Sequence, residues 1–272
     1  IGVVSVGMTF VIGGGGIDLS VGAIVALASV WATTLATQTM AADIHWIVMV
    51  FTALAVGAAC GLVNGSLIAY GRVAPFIATL AMLAAARGLA EIIAARRTQI
   101  VTSRDFIDFF GGSLLGVPVL VIIFALVAIA GWILLNRTTF GRRTLAVGGN
   151  AEAARLAGIK VQRQTMYLYI LLGLACGLAA VMIMARTTTG TSTHGQLYEL
   201  DAIAAVVIGG TLLSGGRATI VGTVFGVLIF TTLTNVFTLN NLDTSTQAVA
   251  KGVIIVAAVL LQQRVAARRG AP

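Results

Sequence analysis

Apolar runs recur along the whole chain, at 1–12, 21–36, 46–70, 75–95, 117–135, 166–185, 202–213, 218–237 and 248–261. Most approach the roughly 20 residues that a helix needs to cross a bilayer. Between them there is too little charge for a water-soluble surface: 10% of residues are charged and 58% hydrophobic, with a mean hydropathy of +1.03, where a soluble domain carries about 25% charge. The bilayer is therefore the expected solvent. The expected fold is all-α and polytopic, one domain over 1–272, with about nine apolar segments that include broken helices. The first run, about 12 residues, gives only about 18 Å of helix. A further helix is expected ahead of it, making ten in a full-length chain.

The formal charge of +8 does not point to nucleic acid, because the basic residues fall in short gaps between apolar runs. In a membrane protein such residues set orientation. The gap 136–165 carries Arg137, Arg142, Arg143, Arg155, Lys160 and Arg163, and the tail carries Arg264, Arg268 and Arg269. With both in the cytoplasm, alternating crossings put Arg72 and Arg217 there too. Loops 37–45, 96–116, 186–199 and 238–246 then face outward. Cys60 and Cys176 sit far apart inside apolar runs and read as small buried hydrophobes. His45 and His194 have no second ligand at metal-like spacing, so no metal site is expected.

The stretch VIGGGGIDLS (11–20) raises the choice between a phosphate loop and a broken helix. A phosphate loop requires Lys followed by Ser or Thr. Lys160 precedes Val161 and Lys251 precedes Gly252, so none exists. From Gly13 or Gly14 the dinucleotide pattern fails as well, at Asp18 and Leu19. Gly13, Gly14, Gly15 and Gly16 instead suit an unwound turn and close helix approach. Asp18 or Ser20 is placed to cap the helix that starts near Val21; a gate or coupling contact by Asp18 is the alternative. The second short run repeats Val-Ile-Gly-Gly at 207–210, including Gly209 and Gly210, and both runs go on to Leu-Ser. Paired short, glycine-broken segments point to discontinuous helices in an internal repeat.

Four stretches carry a family resemblance: VGMTFVIGGGGIDLSVGAIVAL, GRVAPFIATLAMLAAARGLA, FGRRTLAVGGNAEAARLAGIKV and YELDAIAAVVIGGTLLSGGRATIVGTVFGVLI. In this order they resemble the ribose-type sugar permeases, membrane subunits of bacterial ATP-driven (ABC) importers. Gly15 departs from the family pattern, and loop 99–110 is particular to this sequence. The resemblance implies a permease in the bacterial inner membrane, importing a sugar or related polyol. Two permease chains, a homodimer or close paralogues, would flank the path. Partner ATPase subunits would bind ATP and magnesium, leaving this chain with no cofactor and no enzymatic role. A periplasmic or lipid-anchored receptor would deliver the solute.

The same resemblance makes 136–165 a cytoplasmic coupling loop, with Gly149, Asn150, Glu152, Ala153, Ala154, Arg155, Leu156 and Gly158 seated on the ATPase. The residues fit such a helix: Asn150 can cap it, the alanines keep its surface small, and Gly158 can end it. Candidates to line the path are Asn64, Phe76, Arg87, Glu91 and Asn235. Arg87 and Glu91 lie one turn apart and are expected to pair. Asn64 and Asn235 offer hydrogen bonds to a polyol or to a neighbouring helix, and Phe76 after Pro75 reads as an apolar constriction or as plain packing. Glu199 and Asp201 read as carboxylates at a helix start or as a receptor contact, and Lys251 as snorkelling to the outer surface. The rival is an ion-coupled secondary transporter, whose ion site would draw on Asp18, Glu91, Asp201 or Lys251.

Overall fold

The computed structural model describes residues 1–269. Its helices are α1 (Gly2–Gly13), α2 (Val21–Ala32), α3 (Leu35–Asp43), α4 (Ile47–Ala69), α5 (Pro75–Ile93), α6 (Arg104–Gly111), α7 (Val119–Arg137), α8 (Thr139–Gly149), α9 (Ala151–Leu156), α10 (Val161–Thr187), α11 (Tyr198–Ile208), α12 (Ile220–Leu239) and α13 (Thr244–Arg269). Two-residue strands β1 (Gln99–Ile100), β2 (Ser113–Leu114), β3 (Val117–Pro118) and β4 (Thr189–Gly190) form two small antiparallel pairs, β1 with β4 and β2 with β3.

Every predicted apolar run falls mainly on helix. Among the described residues α4, α5, α7, α10 and α12 are long and apolar enough to span a bilayer. The run at 21–36 divides: α2 stops at Ala32, and α3 leaves it at a bend of 56°. Two loops expected to face outward contain the helices α3 and α6. Both are short and carry polar residues, so neither leaves a long apolar run to read.

Burial separates helices that composition makes alike. In α1 and α2 all but one residue each, Gly2 and Trp31, are buried, while only 11% of the most apolar window of α7 is. The short helices form the centre and α7 the periphery. α10 packs on α1, α2 and α4. Its closest neighbour is α4, where Gly57, Gly61 and Gly65, spaced by four, face Gly173, Gly177 and the backbone around Tyr169 and Met166. A Cβ on Gly61 would collide with the Tyr169 carbonyl. Small residues at this spacing let helix backbones touch inside a membrane.

The helices alternate in direction, so one end of the bundle gathers α8, α9, the end of α1 and the break after α11. Gly216 N–H donates to the Gly13 carbonyl (3.0 Å), and Gly65 abuts Met166 near the start of α10. Arg72 and Arg217 therefore share an end with the basic segment 136–165, the arrangement that charge bias leads one to expect. At the other end the β1–β4 pair ties the segment after α5 to the segment after α10. Gln38 on α3 reinforces it, donating to the Ile100 carbonyl (3.0 Å) and accepting from Thr102 N–H (2.7 Å).

Candidate functional site

Both breaks close in the same way. At the end of α1, Gly15 takes φ +81°; its N–H donates to the Ile12 carbonyl and the Gly16 N–H to the Val11 carbonyl, both at 2.9 Å. At the end of α11, Gly210 takes φ +88°; its N–H donates to Val207 (2.9 Å) and the Thr211 N–H to Val206 (3.2 Å). Each is a glycine-centred cap in which a left-handed residue turns the chain away. Val-Ile-Gly-Gly recurs, but the cap falls one residue later in the first copy. That makes Gly15 the left-handed residue there, where glycine carries no steric penalty.

The two breaks meet on α8. Gly148, near the end of α8, lies against Gly13 and Gly216, and Gly215 (φ +81°) lies against Gly15 and Gly148. A Cβ on Gly148 would strike the Gly13 carbonyl. Glycines from three segments thus make one backbone-on-backbone junction. Gly14 packs on Leu168 and Gly16 on the Tyr169 hydroxyl, while Gly209 lies against Gly222 across the α11–α12 interface. α8 is also tied to α10, since Gln164 Nε2 donates to Thr144 Oγ1 (2.8 Å) and to the Phe140 carbonyl (3.1 Å).

From this junction the chain runs directly into α9. Asn150 ends α8 and caps α9, its Oδ1 accepting from Ala153 N–H at 2.9 Å. Gly158, with φ +82°, stops the helix. Arg155 and Glu152 pair on the exposed side at 2.5 Å, and the hydrogen-bonded guanidinium holds the Glu152 carboxyl below its usual range. Gly149 and Ala153 are exposed, but Ala154 is buried against the body of the protein. Ala154 therefore does not share the outward face expected of it. The protruding apolar group is Leu156, 76% exposed.

Asp18 is wholly buried and faces α2 and α4. Its carboxylate accepts from Ser20 N–H (2.7 Å), Ser20 Oγ (2.5 Å) and Asn64 Nδ2 (3.2 Å). Asn64 also donates to Ser20 Oγ at 3.0 Å. A path candidate and a gate candidate are thus brought together in a closed cluster. Asn64, 0% exposed, is not open to a solute.

The expected Arg87–Glu91 pair does not form. Arg87 Nη1 donates to the Ser192 carbonyl and to the His194 carbonyl (2.9 Å), because backbone oxygens of the loop before α11 stand closer to it. Glu91 meets Arg96 at 3.8 Å near the surface. His194 is buried, with Nδ1 3.1 Å from Ser29 Oγ. Lys251 does not snorkel: its Nζ lies 3.0 and 3.1 Å from the two carboxylate oxygens of Asp201, and both side chains are largely buried. Phe76 is 55% exposed, on a face of α5 shared with Leu80 and Ala84. Asn235 is exposed on α12, which packs on α1, α7 and α11, whereas α5 packs on α2 and α4. The path candidates therefore do not converge within one chain.

Sequence reasoning already places Gly148 and Leu156 in the coupling loop; the contacts of Gly148 with Gly215 and Gly216, the buried place of His194 and the prominence of Leu156 emerge only from the structure. The four-residue spacing of Gly57, Gly61 and Gly65 was a readable signal for helix approach. Nothing local in the sequence reports that three distant glycine pairs meet.

The family described as branched-chain amino acid transport system / permease component matches residues 1–259. The ribose import permease of Bacillus subtilis (strain 168) is 45% identical over 265 residues, covering 97% of this chain and 81% of its own. The L-arabinose ABC transporter permease of Azospirillum brasilense is 41% identical over 266 residues, covering 97% and 76%. The galactofuranose transporter permease of Escherichia coli (strain K12) is 37% identical over 265 residues, again covering 97% and 76%. No solved structure matches.

Proposed function

The chain belongs to the family of branched-chain amino acid transport system permease components, and from that premise we propose that it is the permease subunit of an ATP-driven sugar importer in the bacterial inner membrane. Its relatives are transport permeases rather than enzymes. The observation that carries the reading is the glycine junction. An exposed six-residue helix, α9, is joined through α8 to the breaks of both short central helices. A partner ATPase that binds ATP and magnesium would seat α9 in a cleft, with Leu156 as the inserted group. Movement of α9 would shift α8, and α8 cannot move without displacing the two breaks, because only backbone separates them.

The opposite end is the receiving face for a receptor, periplasmic or lipid-anchored. The solute path runs along α5, whose exposed stripe of Phe76, Leu80 and Ala84 is completed by a second permease copy. That stripe is uncharged, which suits a neutral sugar. Ribose or a related aldose is the substrate class that the relatives favour, and the receptor sets the choice among them.

Reconstitution into vesicles tests this. Labelled ribose should enter only with the ATPase subunits, internal ATP-Mg and the receptor present. Uptake driven by a proton or sodium gradient alone, without the ATPase, would overturn the assignment.

A further inference from the structure

The outer segment between α5 and α7 has an apolar surface that the transport reading does not use. α6 turns Phe106 and Phe110 inward onto Trp46, with ring centroids 6.2 and 5.8 Å away, and leaves Arg104, Asp105 and Asp108 exposed. Phe109, 52% exposed, stacks on the same Trp46 at 5.0 Å. The β2–β3 hairpin follows, closed at its base by Val119 N–H donating to the Gly112 carbonyl (3.0 Å). Its two turn residues, Leu115 and Gly116, take φ +53° and +79°. Asn and Gly are the residues suited to such a turn, so backbone geometry does not explain a leucine there. Leu115 is nonetheless 97% exposed, beside Leu114 at 62%.

We infer that the hairpin tip and Phe109 of α6 insert into the outer leaflet of the bilayer, the tip leucines among the acyl chains and the α6 charges toward water. Continuity identifies the occupant. α7 starts directly after the hairpin and carries an exposed apolar face through Val121, Leu126, Ile129 and Ile133. Of the five helices long and apolar enough to cross a bilayer among the described residues, α7 is the least buried, so the leucines extend a surface that already faces lipid. Aromatic side chains beside charged ones suit the interfacial depth. The inference rests on the membrane reading of the fold and not on the sugar or the ATPase.

The test uses the full chain carrying Leu115→Cys, labelled with an environment-sensitive fluorophore; native Cys60 and Cys176 are buried. The protein is reconstituted in phosphatidylcholine vesicles containing lipids spin-labelled at a shallow or a deep acyl position. Val121→Cys and Thr193→Cys serve as lipid-facing and water-facing references. Emission from position 115 should be blue-shifted relative to 193, quenched several-fold more by spin-labelled lipid than at 193, and most by the shallow label. Emission like that of 193, quenched by aqueous iodide, would overturn the inference. Protection from both quenchers would overturn it too, since protein rather than lipid would then cover the hairpin.

Discussion

Asp201 and Lys251 show how much one residue's partner alters its meaning. Each carries a charge that membrane burial opposes, and the pair at 3.0 Å offsets that cost only while both are present. Removing one partner of a buried pair typically costs about 3–5 kcal/mol, whereas replacing both can be nearly neutral. Lys251→Met should therefore lower the thermal stability of the purified protein markedly, and Asp201→Asn combined with Lys251→Met should recover most of it. A double variant no more stable than the worse single one would show that the ion pair is not the tie between α11 and α13. Gly148 is the second residue-scale case. Gly148→Ala should reach the membrane yet lose most uptake, because its Cβ meets the Gly13 carbonyl; wild-type uptake would count against the junction as a transmission point. Glu152 is exposed, and its depressed pKa contributes to α9 in full above the ordinary carboxylate range. That small contribution disappears as pH falls through the lowered value.

At the scale of elements, α9 can be tested on its two faces. Leu156→Asp places a charge on the outward knob and should abolish copurification of the ATPase while leaving the permease folded. Ala154→Asp buries a carboxylate beneath the same helix and should destabilise the loop itself, so its effect would mix docking with folding. Asn150→Ala removes a cap that such residues supply at about 1 kcal/mol, and should loosen α9 enough to be detected by faster hydrogen exchange at Ala153. The existence of α9 and its two caps were legible because Asn and Gly act locally. Its orientation was not: an alanine on a six-residue helix reads the same whichever face it occupies, and only the packing of the folded chain buries Ala154. Lys251 misled for a similar reason. A lone lysine near a helix end is expected to reach water until a carboxylate from another helix is known to stand beside it.

For the whole molecule, the alternation of helices places α9 and the loop of Thr193 at opposite ends. Cysteines at Ala157 and Thr193 should react with a membrane-impermeant reagent from opposite sides of the membrane, 193 from outside; the reverse pattern would invert the orientation. The nine apolar runs, the two broken helices and the basic side were all readable from the chain, because hydropathy, glycine content and charge bias are local properties that a bilayer acts on directly. The order of layers was not. A helix facing lipid and a helix enclosed by other helices both need apolar side chains all round, so α7 and α1 look alike in composition. Contacts between segments far apart in the chain placed α1 and α2 at the centre and α7 at the rim. The same distant contacts brought three glycine-rich segments into one junction, since a residue without a side chain leaves no mark of what it touches until the backbones are in place.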